Sequence, residues 1–307
     1  MKKRNLGVEL FRIVCMLAVC MQHAVHFSNT GAKGFEGRFW NFGVVGFALI
    51  TGYYGVTFRG SRVVKLWLTA IICSAVSLFV GTSLGFEGGY INLLCNNWYL
   101  NGYTVLILLS PVLNAALDNF FSFGVREKTR VAIIAVISLV CWSWFQELYG
   151  VRDFVPKVAG MGRQSFMTLV YIYLAGRFLH QYEMPQTISK HRLLIMAACL
   201  LLIPILGNYT SPVTILFTVL LFCLFERADV SEQCEKIINL IVPSLFAVYL
   251  LHTNTIGFDL ISRYCDCLIG LGIARYLSYG ICALSVFVVC LVADIPRRLL
   301  LKAIPSY

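Results

Sequence analysis

Arg12 and His23 are the residues of this chain best placed to do chemistry. Both lie in its first apolar segment, from Val8 to Phe27, which matches the roughly 20 residues a membrane-crossing helix needs. Ionisable groups inside such a segment are costly and mark function. They are eleven positions apart. At about 100° and about 1.5 Å per residue, a helix places them within roughly 20° of each other and about 16 Å apart along its axis. One face then carries a fixed cation near one end and a titratable imidazole deeper in. That pattern suits a charged molecule entering from one side, with proton transfer further along. Imidazole, with an ordinary pKa of about 6.5, can act as a general base near neutral pH.

Other residues could join them. Glu9 sits three positions before Arg12, on a neighbouring helix face. It either lowers the cost of burying the guanidinium or orients it toward a ligand, and both can hold at once. His26 follows His23 by three and is a secondary candidate. Arg59, Arg62 and Lys65 cluster where the first inner loop meets the third span. They read either as an orientation signal or as a phosphate grip, since guanidinium forks match phosphate oxygens. Trp98 and Tyr99 open the fourth span and fit an aromatic belt at the interface. Tyr249 and His252, three apart near the end of the ninth span, are candidate substrate-binding groups, as is Trp98.

The elements that must position these groups are helices in a bilayer. The chain is 59% hydrophobic and only 13% charged, against about 25% charged in a soluble domain. The expected fold is all-α: a polytopic transmembrane bundle of about ten helices, forming one domain over 1–307. A net charge of +10 is explained by orientation in the membrane, and no nucleic-acid partner is expected. The segment after Met1-Lys2-Lys3-Arg4 reads as retained rather than as a signal peptide. Arg12 interrupts it, and no small-x-small cleavage site follows. Most of the twelve cysteines fall in apolar segments, as small packing residues. Cys265-Asp266-Cys267 reads as a loop. No metal site is expected, for want of further ligands at suitable spacing.

The ten expected spans are about 8–28, 39–57, 63–83, 98–117, 130–149, 164–180, 193–209, 212–226, 237–256 and 276–296. With the N-terminus inside, the inner segments carry Lys2, Lys3, Arg4, Arg59, Arg62, Lys65, Arg126, Lys128, Arg130, Arg177, Lys190, Arg192, Arg227, Lys236, Arg297, Arg298 and Lys302. The outer loops carry Lys33, Arg38, Arg152, Lys157, Arg163, Arg263 and Arg275. Seventeen against seven places both termini in the cytoplasm by the positive-inside rule, with the loop at 150–163 as the dissenting segment.

Several of these features together resemble one family. Glu9-Leu10-Phe11-Arg12-Ile13 followed by His23 resembles the R-x10-H opening of the integral membrane acyltransferases (acyltransferase type 3). Ile50-Thr51-Gly52-Tyr53 resembles their S-G-Y element, with threonine for serine, and Arg59 and Arg62 resemble the basic R-x-x-R after it. Trp98-Tyr99-Leu100-Asn101-Gly102-Tyr103, continuing to Leu109-Ser110-Pro111-Val112-Leu113-Asn114, is similar to the W-Y-L…L-S-P-x-L-N stretch of the polysaccharide-modifying branch. Ser244 through Tyr249-Leu250-Leu251-His252 resembles the late S-x4-Y-L-I-H element. No proline follows Arg62, and threonine follows His252, where the family often has proline at both places.

The resemblance implies a multi-pass enzyme of the bacterial cytoplasmic membrane, in contact with membrane lipid. Its donor would be acetyl-CoA or another acyl-CoA from the cytoplasm. The acceptor would be a hydroxyl on a cell-surface glycan or a lipid-linked glycan precursor. Arg12 and His23 match the essential pair of the family, and Arg59 and Arg62 the residues associated with the donor. The rival reading is a transporter or flippase for a glycan or lipid-linked precursor, since intramembrane Arg and His also suit a transport path. A third is a structural subunit of a glycan-assembly complex.

Overall fold

A computed structural model describes residues 5–29, 39–86, 97–148, 166–183, 186, 188–201 and 211–303. Among these residues the chain is helical, with no strand. In order, the helices are α1 (Leu6–Phe27), α2 (Phe42–Tyr54), α3 (Gly60–Ser83), α4 (Trp98–Ser122), α5 (Val125–Leu148), α6 (Phe166–Gln181) and α7 (Lys190–Leu201). There follow α8 (Pro212–Glu226), α9 (Glu232–Ile241), a 3-10 turn (Val242–Ser244), α10 (Leu245–His252), α11 (Thr255–Gly270), α12 (Arg275–Ala293) and α13 (Ile295–Ala303). Lys2, Lys3, Arg4, Lys33, Arg38, Arg152, Lys157 and Arg163, all used to orient the chain, lie outside the described residues, and with them the loop at 150–163.

Among the described residues, five helical stretches are long and apolar enough to cross a bilayer: Leu6–Phe27, Gly60–Ser83, Trp98–Ser122, Glu232–His252 and Arg275–Leu300. Their outward faces are apolar, as at Ile71 and Phe79 on α3, Val112 on α4 and Val289 on α12. Side chains of this kind face lipid at no cost. The expected ninth span, 237–256, runs instead through α9, the 3-10 turn and α10, and stops at His252. The segment around Cys265-Asp266-Cys267, read from sequence as a loop, is helical: it belongs to α11, with Cys265 buried and Cys267 exposed. The loop reading missed the Asn254 cap that starts this helix, whose Oδ1 accepts from the Gly257 N–H at 2.9 Å. An N-cap of this kind satisfies a backbone donor that a new helix leaves orphaned.

α1 is the central helix. It packs against α2, α8, α9, α10, α11 and α12, and residues on all its faces are buried, among them Val8, Phe11, Cys15, Ala18, Val19 and Ala24. Asn5 starts it by accepting from the Val8 N–H at 3.1 Å while donating to the Glu226 carbonyl at 2.8 Å. At Gly7 a Cβ would lie 1.9 Å from the Phe225 carbonyl oxygen, so α1 and α8 meet backbone to backbone.

The same device joins α2 to α6. A Cβ on Gly52 would lie 2.1 Å from the Tyr173 carbonyl oxygen, and one on Gly176 would lie 2.3 Å from that of Leu49. Small residues let membrane helices approach closely enough to gain dispersion contact where no hydrophobic drive exists between them. Gly176→Leu is therefore expected to force the two helices apart. The cost is about 3 kcal/mol or more, the upper end for overpacking, seen as a lowered thermal midpoint in detergent. Gly280→Ala, where a Cβ meets nothing within 4 Å, serves as the neutral control. An unchanged midpoint for Gly176→Leu would remove this account of the crossing.

Candidate active site

A cavity of about 460 Å³ lies along α1. That volume falls within the range of small-molecule sites. Arg12, Met16 and Val19 line it, and their spacing of four and three places them on one helix stripe. His23 is the next residue on that stripe. It does not line the cavity, but begins one turn beyond its Val19 edge. Across from α1, the walls come from Thr51 on α2, Arg62 and Lys65 on α3, Tyr99 and Tyr103 on α4, and Tyr249 on α10. Most of the wall is apolar or aromatic, and the cations stand toward the starts of α1, α3 and α13.

Arg12 Nη1 is 3.5 Å from Glu9 Oε2, with the side chains 33% and 10% exposed. That distance balances charge without making a hydrogen bond, and Glu9 Oε2 is buried with no hydrogen-bond partner among the described residues. Glu9 stands behind Arg12 rather than in the cavity lining, so it offsets the charge and leaves guanidinium donors for a ligand.

The basic mouth is held by a polar knot at Val56. Its N–H donates to the Tyr173 hydroxyl at 3.3 Å, which donates to Asn114 Oδ1 at 2.7 Å. Asn114 Nδ2 in turn donates to the Val56 carbonyl at 2.8 Å. Both backbone groups of Val56 are thus satisfied at the link between α2 and α3. Gly55 precedes it with φ +72°, a conformation that L side chains rarely adopt. Beyond the link, Arg62 Nη1 donates only weakly to the Thr57 carbonyl and hydroxyl, at 3.3 and 3.4 Å. Arg62 and Lys65 are exposed and line the cavity, whereas Arg59, at the N-cap of α3, is exposed and stands outside the lining.

At the far end of the stripe stand two histidines. The His23 ring is 5.1 Å from that of His252 and 5.2 Å from Phe258, centroid to centroid. Its Nδ1 is buried with no hydrogen-bond partner among the described residues. His252, 1% exposed, has Nδ1 2.6 Å from the Val248 carbonyl. A carbonyl only accepts, so Nδ1 carries a proton, and in the neutral ring Nε2 keeps its lone pair, 3.9 Å from Cys20 Sγ. The break after His252 is fixed by Asn254, which donates to Ser77 Oγ at 3.0 Å and the Leu251 carbonyl at 2.9 Å, and by Asn97, which donates to Thr253 Oγ1 at 3.0 Å. Tyr249 connects the two regions: it lines the cavity, and its ring is 6.1 Å from that of His252. Trp98 is half-buried beside Tyr99 and does not line the cavity.

The structure therefore brings Arg12, Arg62, Lys65 and Tyr249 onto one cavity and pairs His23 with His252 just past it. Sequence reasoning overlooked Tyr99 and Tyr103 as lining residues. Their spacing of four was the available signal, since it aims both rings the same way. It also overlooked Arg297, a lining residue counted only as an inner charge, although Asp294 three positions earlier marked it as a buried pair. Among the described residues, no group of three or more His, Cys, Asp or Glu is placed to hold a metal ion.

Comparison with curated proteins and with solved structures gives no match. A family model does match: the acyltransferase domain Acyl_transf_3, over residues 5–295. The match spans α1 to the start of α13 and so includes the Arg12 stripe, the basic mouth and the histidine pair. With a membrane-crossing bundle built around that stripe, the chain belongs to the acyltransferase type 3 family of integral membrane acyltransferases.

Proposed function

We propose that this protein moves an acetyl group from cytoplasmic acetyl-CoA to a hydroxyl of a cell-surface glycan or its lipid-linked precursor, in a bacterial cytoplasmic membrane. The observation that carries the reading is the single stripe of α1, on which a cavity edged by cations leads from Arg12 past Met16 and Val19 toward His23. Membership of an acyltransferase family supports group transfer over transport.

In this reading Arg62 and Lys65 hold donor phosphate at the mouth, with Arg59 alongside. The pantetheine arm follows the Arg12 stripe between Tyr103 and Tyr249, and the thioester reaches His23. The acceptor hydroxyl gives its proton to the ring nitrogen of His23 as its oxygen attacks the thioester carbonyl. The C–S bond then breaks, and the coenzyme sulfur leaves as thiolate and recovers that proton. Alternatively a ring nitrogen of His23 attacks the thioester carbonyl first and the C–S bond breaks, with the coenzyme leaving as thiolate. The acceptor oxygen then takes the acetyl group as the C–N bond breaks, and the hydroxyl proton passes through the freed imidazole to the thiolate. His252, held as an acceptor at Nε2 by its bond to Val248, stands ready to orient the imidazole or the incoming hydroxyl.

His23→Ala is expected to lower transfer by about 10²–10⁴, the usual worth of a positioned acid–base group, while the detergent-purified protein still binds acetyl-CoA. Near-normal transfer by this variant would remove His23 from the chemistry.

The donor side requires both termini in the cytoplasm, which the seventeen-to-seven distribution of basic residues supports. Cys234 on α9 and Cys267 on α11 are both exposed, so each is a usable reporter in a background stripped of the other cysteines. An impermeant thiol reagent added outside, with the outer membrane permeabilised, is expected to label Cys267 and spare Cys234. The reverse pattern would invert the protein and put its basic mouth on the wrong side for cytoplasmic donor.

A further inference from the structure

The cationic end of the cavity has a contributor from the last helix. Arg297 lines the cavity and is 9% exposed, and Asp294 is 1% exposed. Asp294 grips the guanidinium at two points: Nε donates to Oδ1 at 2.5 Å and Nη2 to Oδ2 at 2.8 Å. Nη2 also donates to the Pro243 carbonyl at 3.2 Å, in the 3-10 turn that lines the same cavity. A guanidinium carries five N–H donors in one rigid plane. The carboxylate and the carbonyl occupy the Nε–Nη2 edge, and Nη1 has no hydrogen bond among the described residues. The fork is thus fixed on one side and available on the other.

The adjacent arginine does different work. Arg298 Nη1 donates to the Leu240 carbonyl at 2.8 Å and to Ser244 Oγ at 3.5 Å, which fastens α13 to the end of α9. Arg297 adds one bond to the same turn, through Pro243, and its Nη1 takes no part in it. Nor does packing call for the Asp294–Arg297 pair, because apolar residues of similar volume commonly serve a buried position as well as an ion pair does. The pair is explained by what the cavity takes. Its lining holds Arg12, Arg62, Lys65 and Arg297 and no carboxylate. Glu9 and Asp294 stand behind two of these four cations, which leaves a surplus of two positive charges for an occupant.

The cations also differ in burial. Arg62 and Lys65 are exposed, whereas Arg297 is buried. In an acyl-CoA the pyrophosphate lies between the phosphorylated adenosine and the pantetheine arm, so it travels further into the cavity than the 3′-phosphate. We infer that Arg297, oriented by Asp294, binds the pyrophosphate of the donor, while Arg62 and Lys65 take its 3′-phosphate end. This inference rests on the acyl-CoA reading above.

The test is binding of coenzyme A, 3′-dephospho-coenzyme A and pantetheine to the detergent-purified full chain, by calorimetry with displacement titration for weak ligands. Arg297→Gln is expected to weaken both pyrophosphate-bearing ligands by the same factor, about tenfold or more, and to leave pantetheine unchanged. Arg297→Lys is expected to recover only part, because an ammonium lacks the planar fork. The double variant Asp294→Asn/Arg297→Gln leaves no unpaired buried carboxylate, and it is expected to show the same pattern with an unshifted thermal midpoint. Equal weakening of pantetheine, weakening confined to coenzyme A, or unchanged affinity for all three would overturn the assignment while the donor reading stands. If the wild-type protein binds none of the three, the donor reading itself falls, and this inference with it.

Discussion

A helix that carries Glu9, Arg12 and His23 through a bilayer cannot face lipid, because hydrocarbon offers none of them a partner. The architecture answers that constraint. α1 is wrapped by α2, α8, α9, α10, α11 and α12, and its charges meet either each other or the cavity. Close wrapping requires helix backbones to touch, which is why glycine occupies the crossings of α1 with α8 at Gly7 and with α2 at Gly43. The cavity is then the space left where Arg12, Met16 and Val19 meet aromatic rather than small residues.

Irregular backbone at membrane depth survives only where protein or a polar cavity satisfies it. Two breaks between helices flank the site, and protein groups satisfy the backbone at both. At Val56 a closed set of bonds through Tyr173 and Asn114 ends α2 and delivers Arg62 and Lys65 to the mouth. After His252, Asn254 caps one helix while satisfying the end of another, and Asn97 ties the same turn to α4. Each break sits beside a group assigned a role in transfer, so positioning the site and terminating the helices are one problem solved once.

Much of this was legible in the residues. The eleven-residue spacing of Arg12 and His23 implied a shared face, and the structure shows that face lining a cavity for its first two turns. The apolar segments marked the helices, since a long unbroken apolar run is a strong signal. The break after His252 was not legible, because Asn254 is held there by Ser77, a partner 177 positions away. The helix across Cys265-Asp266-Cys267 had a local signal, the Asn254 cap three residues before Gly257, which the loop reading passed over. Arg297 was hidden for a related reason. Beside Arg298 and Lys302 it has the pattern of an orientation signal; Asp294 three positions earlier pointed to a pair, but folding against Pro243 is what shows it lining the cavity. Arg59 and Arg62 looked equivalent in sequence, yet the N-cap geometry of α3 places only Arg62 in the lining.

The central claim is that donor enters at the cations of α3 and lays its reactive end toward His23 along α1. An experimental structure with a non-transferable acetyl-CoA analogue tests it most directly. The account expects the phosphates among Arg62, Lys65 and Arg297, the pantetheine arm against Met16 and Val19, and the acyl carbonyl within hydrogen-bond reach of the His23 ring. An analogue bound with its acyl end away from His23, or outside the cavity altogether, would contradict it.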